Sequence, residues 1–149
     1  MLNNKIFNNF EQRRYTVEYD EFITHVQSLA QSDSREEAER ATRATLETLK
    51  ERIAGDEAHE LAANLPQQLG DYLRGREGDS GKTFNLQEFI TRASQKENIE
   101  PTTAAIHVRA VFAVLQNAIS PETFAAFHAY FSHDYEELFT ISPTGEVPA

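Results

Sequence analysis

The residues of this chain best suited to metal binding or proton transfer are His25, His59, His107, His128 and His133. Their spacing argues against a metal-binding helix. His128 and His133 lie five apart and fall on different helix faces, whereas the zinc-protease pattern needs histidines four apart with a glutamate between them. Asp134, Glu136 and Glu137 beside His133 read as a solvated acidic helix end. His107 flanks the most apolar stretch and reads as a boundary residue. General acid–base work needs a carboxyl shifted by burial or by a neighbour, and no pair of carboxylates stands out for it. Ser, His and Asp all occur, without the G-x-S-x-G turn that would expose a nucleophile. Gly75-Arg76-Glu77-Gly78-Asp79-Ser80-Gly81-Lys82-Thr83 resembles a phosphate loop at first sight. Arg76 stands where that loop requires its first glycine, and the loop should follow a strand, which is not expected here. The sequence nominates no catalytic residue, no cofactor and no metal ligand.

Arg43 and Arg109 are the more informative polar residues, because they belong to a duplicated pattern about 66 positions apart. Glu21-Phe22-Ile23-Thr24 returns as Glu88-Phe89-Ile90-Thr91. Arg43-Ala44 with Leu49 and Ile53 returns as Arg109-Ala110 with Leu115 and Ile119. Leu61, Leu65, Leu69 and Leu73 return as Phe127, Phe131, Tyr135 and Phe139. A residue kept in both copies serves the fold more simply than a single active site. Glu21 and Glu88, or helix-end carbonyls, are the expected partners of Arg43 and Arg109.

The elements that must position these groups read as helices. Tyr19, Phe22, Ile23, Val26, Leu29 and Ala30 trace one helix face, and Leu86, Phe89, Ile90 and Ala93 trace its mate. Asn85 is the expected N-cap of the mate, with Phe84 stapled onto Phe89. The second helix opens at a capping box, Ser34-Arg35-Glu36-Glu37, and its mate at Glu100-Pro101. A third helix follows Gly55, and its mate starts at Ser120-Pro121-Glu122. Pro66 should break the first copy after Leu65, while Ser132 should let the second run straighter. Phe22, Phe89, Leu65 and Phe131 are expected in the core. The expected organisation is an N-terminal arm (residues 1–18), repeat one (19–74), a flexible linker (75–84), repeat two (85–139) and a mobile tail (140–149). The fold class is all-α, a tandem of two three-helix units packed as one domain.

Composition narrows the function. Of 149 residues, 40% are apolar and 26% charged, as in a soluble folded protein. Each repeat alone would be marginal in size, so the two should share a core. Cysteine is absent, which excludes disulfides and thiol chemistry. Residues 1–10 do not look like a signal peptide, and the apolar run 104–119 is too short to span a bilayer. The net charge of −10 divides as +1, −6 and −5 over residues 1–18, 19–74 and 75–149, and this opposes nucleic-acid binding.

Tyr19-Asp20-Glu21-Phe22, the run from Ala41 through Leu49, Asn64-Leu65-Pro66 with Tyr72-Leu73, and Phe89-Ile90-Thr91-Arg92 resemble a bacterial family catalogued as domain of unknown function 2267. The resemblance covers residues 19–139. Phe131-Ser132 departs from the family's Leu-Pro, and residues 1–18 lie outside its pattern. It implies an all-helical, cytoplasmic bacterial protein, and it carries over no activity and no site residues.

One asymmetry between the copies points to a surface. Arg40, Ala44, Glu47 and Thr48 on the second helix become Ile106, Ala110, Ala113 and Val114. A polar side has turned apolar and must be covered. Ile6, Phe7 and Phe10 of the arm, with these four residues, form the candidate interaction surface. It would be closed by the chain itself, a second copy or a protein partner. The expected function is a non-catalytic protein-binding or adaptor module. The alternative is an enzyme or small-ligand binder with a pocket between the repeats.

Overall fold

The computed structural model describes residues 18–139. The expectations for residues 1–17, including Ile6, Phe7 and Phe10, and for residues 140–149 lie outside the described residues. The described residues form helices and connecting turns, with no strand.

Helix α1 (Tyr19–Ala30) turns Phe22, Ile23 and Val26 into the core. It ends in a Schellman motif: Gln31 is left-handed (φ 53°), and the Ser32 and Gln31 amides donate to the Gln27 and Ser28 carbonyls. Helix α2 (Arg35–Arg52) starts at Ser34, whose hydroxyl accepts from the Glu37 amide as the capping box predicts. Helix α3 (Gly55–Ala63) stops ahead of Pro66, and one short turn, α4 (Gln67–Gly70), follows.

The second half repeats these lengths. Helix α5 (Leu86–Glu97) has 12 residues like α1, is capped by the Asn85 side chain, and ends on left-handed Asn98 (φ 59°). Helix α6 (Pro101–Ala118) has 18 residues like α2, and proline fits its first turn, where the missing N–H would have no partner. Helix α7 (Pro121–His128) is capped by the Ser120 hydroxyl. The helix then breaks, one 3-10 turn follows (His133–Tyr135), and the described residues close with α8 (Glu136–Phe139). The straighter run expected around Ser132 is therefore corrected. Asp134 is tied to the Leu86 amide and the Ser132 hydroxyl, and the Tyr135 hydroxyl donates to the Phe84 carbonyl, so side-chain bonds hold a break that proline holds in the first half.

The helices cross between the halves. α1 packs on α2 and on α6, α5 packs on α6 and on α2, and α2 and α6 pack on each other. α3 meets α7, and α8 lies on α6. One apolar cluster draws from both halves, with Phe22, Leu46, Leu49 and Leu61 beside Phe89, Val111, Phe112 and Leu115. α6, the most apolar segment, is buried along its length as expected. Phe22 and Phe89 are fully enclosed and Leu65 nearly so, whereas Phe131 is only partly buried.

The segment expected to be a flexible linker is fastened to the corner between α2 and α3. The Lys82 amide donates to the Glu51 carbonyl, Gly55 N–H to the Asp79 carbonyl, and Gly78 N–H to the Asp56 carboxylate. Contact is so close that a Cβ on Gly55 would meet the Arg76 carbonyl oxygen at 1.6 Å, and one on Gly81 (φ +81°) the Ile53 carbonyl oxygen at 2.6 Å. Only glycine fits either place.

Candidate functional site

The described residues bring one buried titratable cluster together, and it centres on His107. The residue sits in the second turn of α6, between Ala104 and Val108, which are also buried. Its side chain is 2% exposed, so it is no boundary residue. Nδ1 lies 3.0 Å from both carboxylate oxygens of Glu97, at the C-terminal end of α5. Nε2 lies 3.2 Å from Glu37 Oε2, in the first turn of α2. Glu97 is as deeply buried as the ring, at 2% exposed, while Glu37 keeps 30%. Burial by itself presses the imidazole toward its neutral form. The hydrogen bond and charge of Glu97, with the charge of Glu37, outweigh it and hold His107 above its ordinary value.

A second buried polar group, Arg52 at the end of α2, stands among aromatic rings. It is 5% exposed, and its Nε donates to the Phe84 carbonyl at 3.0 Å. Its guanidinium lies 5.1 Å from the ring centre of Phe131 and 5.2 Å from that of Tyr135, within cation–π range. Burial pushes the Tyr135 hydroxyl up to about 12, against the pull of Arg52. Asp134 is held below its usual range by the Ser132 hydroxyl and the Leu86 amide. That carboxylate occupies the N-terminus of α5, where a phosphate loop would have to hold its anion.

The duplicated arginines hold the ends of their own halves. Arg43 pairs with Glu47 and lies over the Tyr72 ring. Arg109 pairs with Glu137 on α8, and Glu88 pairs with Arg92. The expected Arg109–Glu88 pairing is therefore replaced, because helix two faces its own C-terminal segment along this stripe. Lys50 donates to the Arg74 carbonyl in the first half, and Gln116 to the Leu138 carbonyl in the second. Arg109, Ala113 and Gln116 share one side of α6, and α8 lies over it. Ala110, Ala113 and Val114 are buried, while Ile106 stays 47% exposed. His128 pairs with Glu136, and His59 with Glu77, so neither converges on His107.

Sequence reasoning missed the cluster. The one local signal was that His107 lies among apolar positions of α6. Its partners stand 10 and 70 residues away.

An open groove lies beside α5 and α8, with a volume of about 550 Å³. Leu86, Ile90, Pro101, Asp134 and Glu137 line it. No described helix is long and apolar enough to cross a membrane.

Fold and contacts together define an all-α protein whose helices cross between two halves of like element lengths. The family described as "Uncharacterized conserved protein (DUF2267)" matches residues 19–138, and the chain belongs to it. No curated protein matches the chain.

Proposed function

We propose that this chain is a tandem of two helical units sharing one core, and that it works without catalysis as a protein-binding or adaptor module. The crossing of α1 onto α6 and of α5 onto α2 supports the tandem, since exchanging the halves maps one contact onto the other. The observation that carries the non-catalytic reading is His107. It is a buried titratable group between the halves, and both of its ring nitrogens are engaged, by Glu37 and Glu97. A general base needs a nitrogen directed at substrate.

Binding falls to the surface, where Ile106 stands out beside the Arg109–Glu137 pair. The partner is a protein or a second copy of the chain. The acidic charge disfavours nucleic acid. The family resemblance suits a bacterial cytoplasmic setting. Ile106→Asp tests this against the wild type, with captured proteins identified and mass measured in solution. A protein or second copy bound by the wild type and lost in a variant of unchanged melting temperature supports the reading. A variant that keeps every wild-type association, or a wild type that has none, contradicts it.

A second reading, a small-ligand site, falls to the groove beside α5 and α8, where Leu86 and Ile90 stand beside the Asp134 and Glu137 carboxylates. It lies within the second half rather than between the halves. A ligand screen read by amide shifts at Ile90 and Thr91 decides for or against it.

A further inference from the structure

We propose that Glu37, His107 and Glu97 form a proton-dependent latch: one bound proton holds the first turn of α2 to the end of α5, and its loss in alkaline medium frees that corner. The inference is independent of what the surface binds.

Both ring nitrogens face carboxylate oxygens, at 3.0 Å and 3.2 Å. Carboxylates only accept, and a neutral imidazole carries a single N–H. With a neutral ring and two carboxylates, one nitrogen lone pair would confront oxygen lone pairs beside a buried ring. The closed geometry therefore holds one proton more than those three groups carry when neutral, charged and charged. That proton is the second one on the ring, so that an imidazolium donates to both carboxylates.

The surroundings make the proton matter. Glu97 is buried at the C-terminal end of α5, the negative end of the helix dipole, where an unpaired carboxylate is costly. Glu37 sits at the favourable end of α2 and keeps some access to water, so it can swing outward when the latch opens. Apart from α2 and α5, the elements packed on α6 are α1 and α8. α1 gives Phe22, Ile23 and Val26 to the core, and its His25 is exposed. On α8, Glu136 pairs with His128 and Glu137 with Arg109, the nearest cation of α6 itself.

The direction of the effect follows from linkage. His107 is raised in the folded chain, so the stability it adds is fully present below its ordinary value of 6.5. That stability is lost as pH climbs through the raised one.

Imidazole nitrogen spectra of the whole chain, recorded across pH, provide the test. The latch predicts a His107 midpoint above that of the same chain unfolded in urea, with protons on both ring nitrogens below that midpoint. Hydrogen exchange should show the Glu37 and Ala38 amides, both bonded to Ser34, losing protection as His107 titrates. Glu37→Gln keeps an acceptor and removes a charge, so it should lower the midpoint. It also stands in for Glu97→Gln should that buried change prevent folding. A ring that stays singly protonated wherever the chain is folded, a midpoint at or below the unfolded one, or α2 protection indifferent to the titration would each overturn the proposal.

Discussion

The two halves fill equivalent places with different chemistry. Leu61, Leu65, Leu69 and Leu73 close the first, while Phe127, Phe131, Tyr135 and Phe139 close the second. The second half is consequently a network of rings. Phe112 meets Phe89, Phe127, Phe131 and Phe139, with centres 5.6–6.1 Å apart, mostly edge to face. Leucine offers no charged face, so the buried Arg52 leans on the aromatic half although it belongs to α2. The latch shows the same division. In sequence register, Glu97, His107 and Glu37 correspond to Ala30, Ala41 and Thr103, none of which titrates. The helices cross between the halves, and the buried polar chemistry falls at positions where the two halves differ in sequence.

The largest test of that contrast compares Phe89→Ala with Phe22→Ala. Both residues are fully buried, and Phe89 touches Phe84, Phe112 and Tyr135. Phe22 has no ring neighbour among the described residues. Phe89→Ala should cost about 3–5 kcal/mol by denaturant unfolding. Phe22→Ala should cost less by about 1 kcal/mol, the worth of the ring pairs. Equal losses would mean that the rings add nothing beyond their area.

Arg52→Ala comes next. It leaves the Phe84 carbonyl without its donor and the rings without their cation, at a cost of about 3 kcal/mol. A neutral result would show that the cage is not formed. Gly81→Ala asks whether the segment between the halves is fastened. A Cβ would press on the Ile53 carbonyl from a left-handed backbone, so melting should report a loss of about 1–2 kcal/mol, where a free linker would lose nothing. Arg109→Ala should be smallest. Its pair with Glu137 is about half exposed, and the change should stay within about 0.5 kcal/mol.

Helix starts were legible because caps are local. Ser34, Asn85 and Ser120 accept from the amides three residues on, and Pro101 opens α6. The Phe84–Phe89 staple also formed, with ring centres 6.3 Å apart. What escaped was long-range. Nothing near His107 in sequence indicates Glu37, and nothing near Arg52 indicates Phe131. The fastening of residues 75–84 rests largely on backbone groups, and the side chains that join it, Asp56 and His59, lie 22 and 18 residues before their partners Gly78 and Glu77. Ser132 breaks its helix through Asp134 and Tyr135, whose partners Leu86 and Phe84 lie in another element.

Each half completes the other's packing, since α1 rests on α6 and α5 on α2. Thermal unfolding of a fragment holding residues 1–75, followed by circular dichroism, tests it most directly. Without α5 and α6 that fragment should lack a cooperative transition and regain one when residues 76–149 are added. A sharp transition with full helical signal in the fragment alone would contradict the account.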